Sequence, residues 1–249
     1  ELFNKKVSEI IFIILFLYPV FFGHMSINNK DTILALSHVW IIYLMLRYLK
    51  KQSIAEKANK YITSIGVLTA VSTGMQLVFL GTQIPIFLFV LAEVFLLKRI
   101  IDIHFSIKKA LYDLGKCFII FYSLLILFWI DTHQNILTYP LHIFQNYFSA
   151  DFATGWRHNL VNGTYYLSSE VPKSYFLINF IYKSPEYILL SYLFFLVIIL
   201  KSKNFYNTKL KFFYYNLSFI ILILIFPNLI MFLVPYPIYD GMRLFLWVL

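Results

Sequence analysis

The sequence predicts an all-α integral membrane protein of about seven transmembrane helices, with one long loop on one face that contains short helices of its own. Three observations carry that prediction. Of the 249 residues, 60% are hydrophobic and only 13% charged, with a mean hydropathy of +0.74, where a soluble domain carries about 25% charged residues. A globular core of this size needs a charged shell, and too few charges are present to build one. The apolar residues also fall into runs close to the roughly 20 residues that cross a bilayer. Finally, Lys and Arg gather in every second connection between those runs.

The predicted spans are Glu9–Met25, Thr32–Leu49, Ile62–Leu80, Ile84–Leu97, Cys117–Ile130, Pro185–Leu200 and Phe213–Val234. Asp31 precedes Thr32 at the start of the second span, where a carboxylate is favoured by the helix dipole. The fourth, fifth and sixth runs are short and extend into their flanks. The sixth has a marked beginning, with Ser184 suited to cap, Pro185 to the first turn and Glu186 to the positive end of the dipole. That boundary leaves Tyr175–Lys183 as a separate interfacial helix. We find no internal repeat, low-complexity linker or domain boundary, so residues 1–249 are taken as one polytopic domain.

Threading seven helices places Lys5/Lys6, the cluster from Arg47 to Lys60, the cluster from Lys98 to Lys116 and Lys201–Lys211 on one side. These joints hold sixteen of the twenty-one basic residues. Basic loops stay cytoplasmic, so the net charge of +9 reads as membrane anchoring and not as a nucleic-acid footprint. The lone Cys117 excludes an internal disulfide and a cysteine zinc cluster. The chain starts at Glu1 and stops at Leu249 inside an apolar run, so it is expected to be an internal fragment.

The face opposite the basic joints, called outer below, carries the candidate chemistry. It comprises the short turn "SINNKD", the very short "GTQ", a loop from Asp131 to about Ser184, and the terminal "PYPIYDGMR". His24 and Asp31 could share a divalent metal or hold an acceptor substrate, although two ligands at that separation are a weak metal pattern. Asp31 equally serves as a helix-start carboxylate. In the long loop, Arg157 and Lys173 suit a phosphate, and Glu170 and Asp151 could act as acid or base or orient those cations. A folded surface loop with scattered charges accounts for them as well. Tyr165 and Tyr166 fit an aromatic belt or a sugar platform. Asn162-Gly163-Thr164 matches a glycosylation pattern to which no role is assigned. Glu93, near the end of its span, is expected to lean toward the interface. With charges nearly absent from the helix middles, the chain looks less like a coupled transporter than like an enzyme working at one membrane face.

"PVFFGHMSINNKD", "LVNGTYYLSSEVPKSY" with "KSPEY", and "IYDGMRLFLW" together resemble the outer-face motifs of bacterial membrane glycosyltransferases of the C-type fold, the relatives of protein O-mannosyltransferases and of the aminoarabinose transferase of lipid A. Met242 and Leu244 depart from the Trp and His often found in the last motif. The resemblance implies transfer of a sugar from a polyprenyl-phosphate carrier to a lipid, glycan or protein acceptor at the outer face, in a bacterial inner membrane with the site toward the periplasm. It implies a catalytic base upstream of Glu1, Asp31 as a supporting carboxylate, and Arg157, Lys173 and Arg243 against the lipid phosphate, with Asp240 orienting Arg243. A local turn-stabilising contact between Asp240 and Arg243 is the plainer alternative. Two other functions stay open: a ligase or polymerase using polyprenyl-linked donors, and a lipid or solute transporter.

Overall fold

The computed structural model describes residues 5–27, 29–77, 79–147, 158–168, 170–201, 206, 208 and 213–233, without the side chains of a few of them, His24 and Asp131 included. In chain order the elements are α1 (Lys5–Leu17), α2 (Pro19–Ile27), α3 (Asn29–Lys51), α4 (Ala55–Met75), α5 (Phe79–Ala92, continued by a π turn Glu93–Leu97), α6 (Ile107–Phe128), a 3-10 turn (Ile130–Gln134), α7 (Tyr139–Tyr147), β1 (His158–Val161), β2 (Thr164–Leu167), α8 (Tyr175–Lys183), α9 (Glu186–Lys201) and α10 (Phe213–Leu233). The expected helical character is present, with one exception: part of the long loop is a β-hairpin.

Among the described residues three helices are long and apolar enough to cross a membrane by themselves, α3, α5 with its π turn, and α6, and the number rises to as many as five if each of two bent pairs is one span. The expected straight first span is α1 and α2, bent by 61°, because Pro19 has no N–H to donate back into the helix. The expected sixth span, α9, reaches spanning length only together with α8, across a bend of 111°. Ser184 does not cap α9: its hydroxyl hydrogen-bonds Tyr18 at 2.7 Å, and the carbonyl of Pro185 accepts the first N–H groups of the helix. Helix α4 is not among the helices apolar enough to cross, because Glu56, Lys57, Asn59 and Lys60 open it and Ser and Thr recur along the rest.

The residues fall into two compact units, Ile33–Phe152 and Leu2–Thr32 with Ala153–Leu249. In the first unit, polar contacts tie the helix ends together. Gln52, fully buried, accepts from Ser106 N at 2.7 Å and donates to Ser106 O at 3.0 Å. Tyr48 donates to Asp113 at 2.9 Å, and Lys116 bonds Asn59. These contacts gather the end of α3 and the starts of α4 and α6 at the basic end. Toward the opposite end, Trp129 Nε1 donates to Gly74 O at 3.4 Å. Helices α4 and α6 therefore run parallel. They approach closely at Gly66, where an added Cβ would lie 3.0 Å from the carbonyl oxygen of Cys117; small residues at such a crossing let backbones meet. Leu34, Ile41, Leu44, Ile65, Phe79 and Ile86 form the apolar core beside it.

Glu93, expected to lean toward the interface, does reach past the end of its span but is not solvated there. It is completely buried and accepts the N–H groups of Ile100 and, at 3.3 Å, Ile101. The π turn and the left-handed Lys98 (φ 48°) reverse the chain there, so the carboxylate folds back onto the following loop.

In the second unit, Tyr187 donates to Leu17 O at 3.0 Å, at the same bend that Tyr18 marks. The hairpin pairs His158 with Leu167 and Val161 with Thr164. Asn162 (φ 49°) and Gly163 (φ 81°) both sit at positive φ, the geometry of a tight two-residue hairpin turn that Asn-Gly favours. Asn159 donates to Ser168 at 3.2 Å and accepts from Tyr175 at 3.3 Å, which fastens the hairpin to α8.

Candidate functional site

Asp31 sits in the first turn of α3 and is only 4% exposed. A carboxylate there lies beside the N–H groups that the helix start leaves without intrahelical partners. Glu170 and Lys173 are exposed on the segment between β2 and α8, and the N–H of Glu170 closes a turn onto Leu167 O at 2.9 Å. Tyr165 is 74% exposed and pairs across the hairpin with Leu160 on its outward face. His24 lies in α2, but its side chain is outside the described residues, as are Asp151, Arg157, Asp240 and Arg243. Among the described residues no three His, Cys, Asp or Glu side chains converge to hold a metal.

The first unit contains an apolar cavity of about 430 Å³, within the size range of small-molecule sites. It follows α6 from Leu114 through Phe118, Phe121 and Leu125, with Leu80 opposite and Pro140 and Leu141 at its outer end. From Leu114 to Leu125 the helix rises roughly 16 Å. Its roof is a built structure. Tyr122 donates to Ile136 O, the side chain of Asn135 accepts the N–H groups of Leu137 and Thr138, and α7 begins there. Only 11% of the apolar window of α6 is buried, so the cavity opens along a helix whose remaining surface needs an apolar surrounding.

His38 was not singled out in the sequence. It is fully buried within α3, and the Gln83 amide approaches its Nδ1 at 3.3 Å; Gln83 also donates to Thr82 at 2.8 Å. A single His in an apolar run shows no periodic signal, and its partner lies 45 residues away. The one available sign was that α3 and α5 each carry a polar group inside an apolar span.

No protein-family model matches this chain, and no curated protein and no solved structure is significantly similar to it.

Proposed function

We propose that this chain belongs to a membrane glycosyltransferase that moves a sugar from a polyprenyl-phosphate carrier to an acceptor at the outer face. The observation that carries the reading is the apolar cavity along α6, roofed at its outer end by Pro140 and Leu141. A lipid-linked donor needs a greasy slot for its tail, and this cavity within the first unit offers one. Transfer then forms a bond from the acceptor oxygen to the anomeric carbon, breaks the bond from that carbon to the phosphate oxygen, and sends the acceptor proton to a carboxylate. Asp31 supports the reading as a buried carboxylate at a helix start. Lys173, Arg157 and Arg243 are the cations proposed for the departing phosphate, Tyr165 the surface for the sugar, and Glu170 a second acid or base. A bacterial inner membrane with a periplasmic site belongs to the same proposal.

The test is release of polyprenyl phosphate from a labelled single-sugar donor by the full-length protein in nanodiscs. Arg243→Ala should abolish release while insertion is preserved; normal turnover removes Arg243 from the phosphate site. Leu80→Trp, which fills the cavity, should raise KM for a long-chain donor about tenfold, or ~1.4 kcal/mol, and leave a short-chain donor unaffected. Turnover with preassembled oligosaccharide donors alone would point instead to a polymerase or ligase.

A second reading, transport, is favoured by the buried His38–Gln83 pair and by the buried hydroxyls of Ser72 and Thr73, for which no hydrogen-bond partner is found among the described residues. His38→Ala abolishing a proton-dependent flux in vesicles would support it, and unchanged flux would remove it.

A further inference from the structure

The loop between α5 and α6, "KRIIDIHFS", presents Ile103 with 96% of its surface exposed. This is not a loop too short of contacts to bury its apolar side chains. Ile101 and Phe105, two residues to either side, pack against the core formed by Tyr48, Leu49, Ile62 and Val94. Ile103 between them is turned out. The backbone is held in that form from several directions: Asp102 N donates to Leu49 O at 2.9 Å and Phe105 N to Asp102 O at 3.1 Å. The Asp102 carboxylate accepts from the Ser53 hydroxyl and from His104 N at 3.2 Å, Glu93 accepts from Ile100 and Ile101, and Gln52 grips Ser106. A loop so thoroughly tied, with its tip an unshielded isoleucine, is a shaped surface.

Its electrical surroundings are one-sided. Residues 47–60 and 98–116 hold ten Lys and Arg against three Asp and Glu. Of the three, Asp113 is buried against Tyr48 and the Asp102 carboxylate is tied to the Ser53 hydroxyl and the His104 N–H, and the cations outnumber all three acids by seven. Lys98 and Lys108 are exposed five residues to either side of Ile103. An apolar tip flanked in sequence by exposed cations matches a leaflet of anionic lipid, where the side chain enters the acyl boundary and each cation near the surface adds about 1 kcal/mol. A neutral surface meets only half of that pattern.

We infer that the loop 98–106 is a preformed binding surface for anionic phospholipid headgroups, with Ile103 as its wedge and Lys98 and Lys108 as its principal cations. The full-length protein, stripped of lipid and offered equimolar phosphatidylglycerol and phosphatidylcholine, is read by native mass spectrometry. It should retain the anionic lipid several-fold over the neutral one, and millimolar inorganic phosphate should not displace it. Lys98→Gln/Arg99→Gln/Lys108→Gln should cut that preference at least threefold, while Lys57→Gln/Lys60→Gln, which removes nearby charge from α4, should change it less. Lys57, Lys60, Lys98, Arg99 and Lys108 are all exposed, and an unchanged Tm checks that the variants stay folded. Independently, a fluorophore placed by Ile103→Cys in a Cys117→Ser background should be quenched by lipid-borne nitroxide in anionic nanodiscs. Equal retention of the two lipids, displacement by phosphate, equal loss in both charge variants, or an unquenched fluorophore would each overturn the inference.

Discussion

At the scale of single residues, two glycines on facing helices should behave oppositely. A Cβ on Gly66 would stand 3.0 Å from a backbone oxygen and 3.1 Å from the Ile120 side chain, and a backbone atom cannot rotate away. Gly66→Leu should therefore lower Tm in detergent, by overpacking of about 1–3 kcal/mol. Gly115 meets nothing within 4 Å, so Gly115→Ala should hold or raise Tm, since glycine inside a helix costs about 1 kcal/mol relative to alanine. Asp102 offers a second test. The Ser53 hydroxyl, helped by the His104 N–H, holds its carboxyl below the ordinary value, so the contribution of these bonds is present above the unfolded value of about 3.9 and is lost as pH falls through the lower folded value. The His104 amide resonance should titrate with a midpoint under that of free aspartate, and Ser53→Ala should move it up. Some of this scale was legible in sequence: Asp31 announces a helix start from its immediate neighbours. Gln52 and His38 were not, because what makes each matter is a partner 54 or 45 residues away, brought near only by helix packing.

Elements were legible to the extent that their signals were local. The apolar runs of α3, α5 and α6 stand out, and the bounds expected for α8, Tyr175–Lys183, match because Ser184-Pro185 punctuates its end. The bends were missed because a hydrophobic run says nothing about direction, and Pro19 sits inside one. The hairpin was missed although Asn-Gly between "HNLV" and "TYYL" is a strong turn signal; the same letters also spell a glycosylation pattern, and the expectation of an all-helical chain drew attention from the turn. Gly163 tests the element. At φ 81° a β-branched side chain is strained by roughly 1–2 kcal/mol, so Gly163→Val should expose residues 158–167 to limited proteolysis. Asn162→Gly should leave them protected.

For the whole molecule, we predict that α4 crosses the bilayer despite its polarity, from charge and geometry together. The basic ends of α3 (Lys50, Lys51) and of α5 (Lys98), and the basic start of α6 (Lys108), share one end of the unit, as the Gln52–Ser106 and Asp102–Leu49 bonds require. Between α3, which ends there, and α5, which must arrive there, only α4 can carry the chain to the opposite end. Its 21 residues reach about 31 Å, enough for the roughly 30 Å hydrocarbon core. A Ser- and Thr-bearing helix crosses at tolerable cost when its polar groups are packed against other helices, and Ser72, Thr73, Gly66 and Ala70 are all buried. A hydropathy criterion misses such a helix because it counts composition without asking what covers it. The expected outcome is specific. In a Cys117→Ser background, cysteines introduced by Lys51→Cys and Lys108→Cys should react with a membrane-impermeant reagent from one side only. Those introduced by Gln76→Cys and Leu137→Cys should react from the other. Labelling of all four from the same side would mean that α4 returns without crossing, and the outer roof of the α6 cavity would then lie on the basic face.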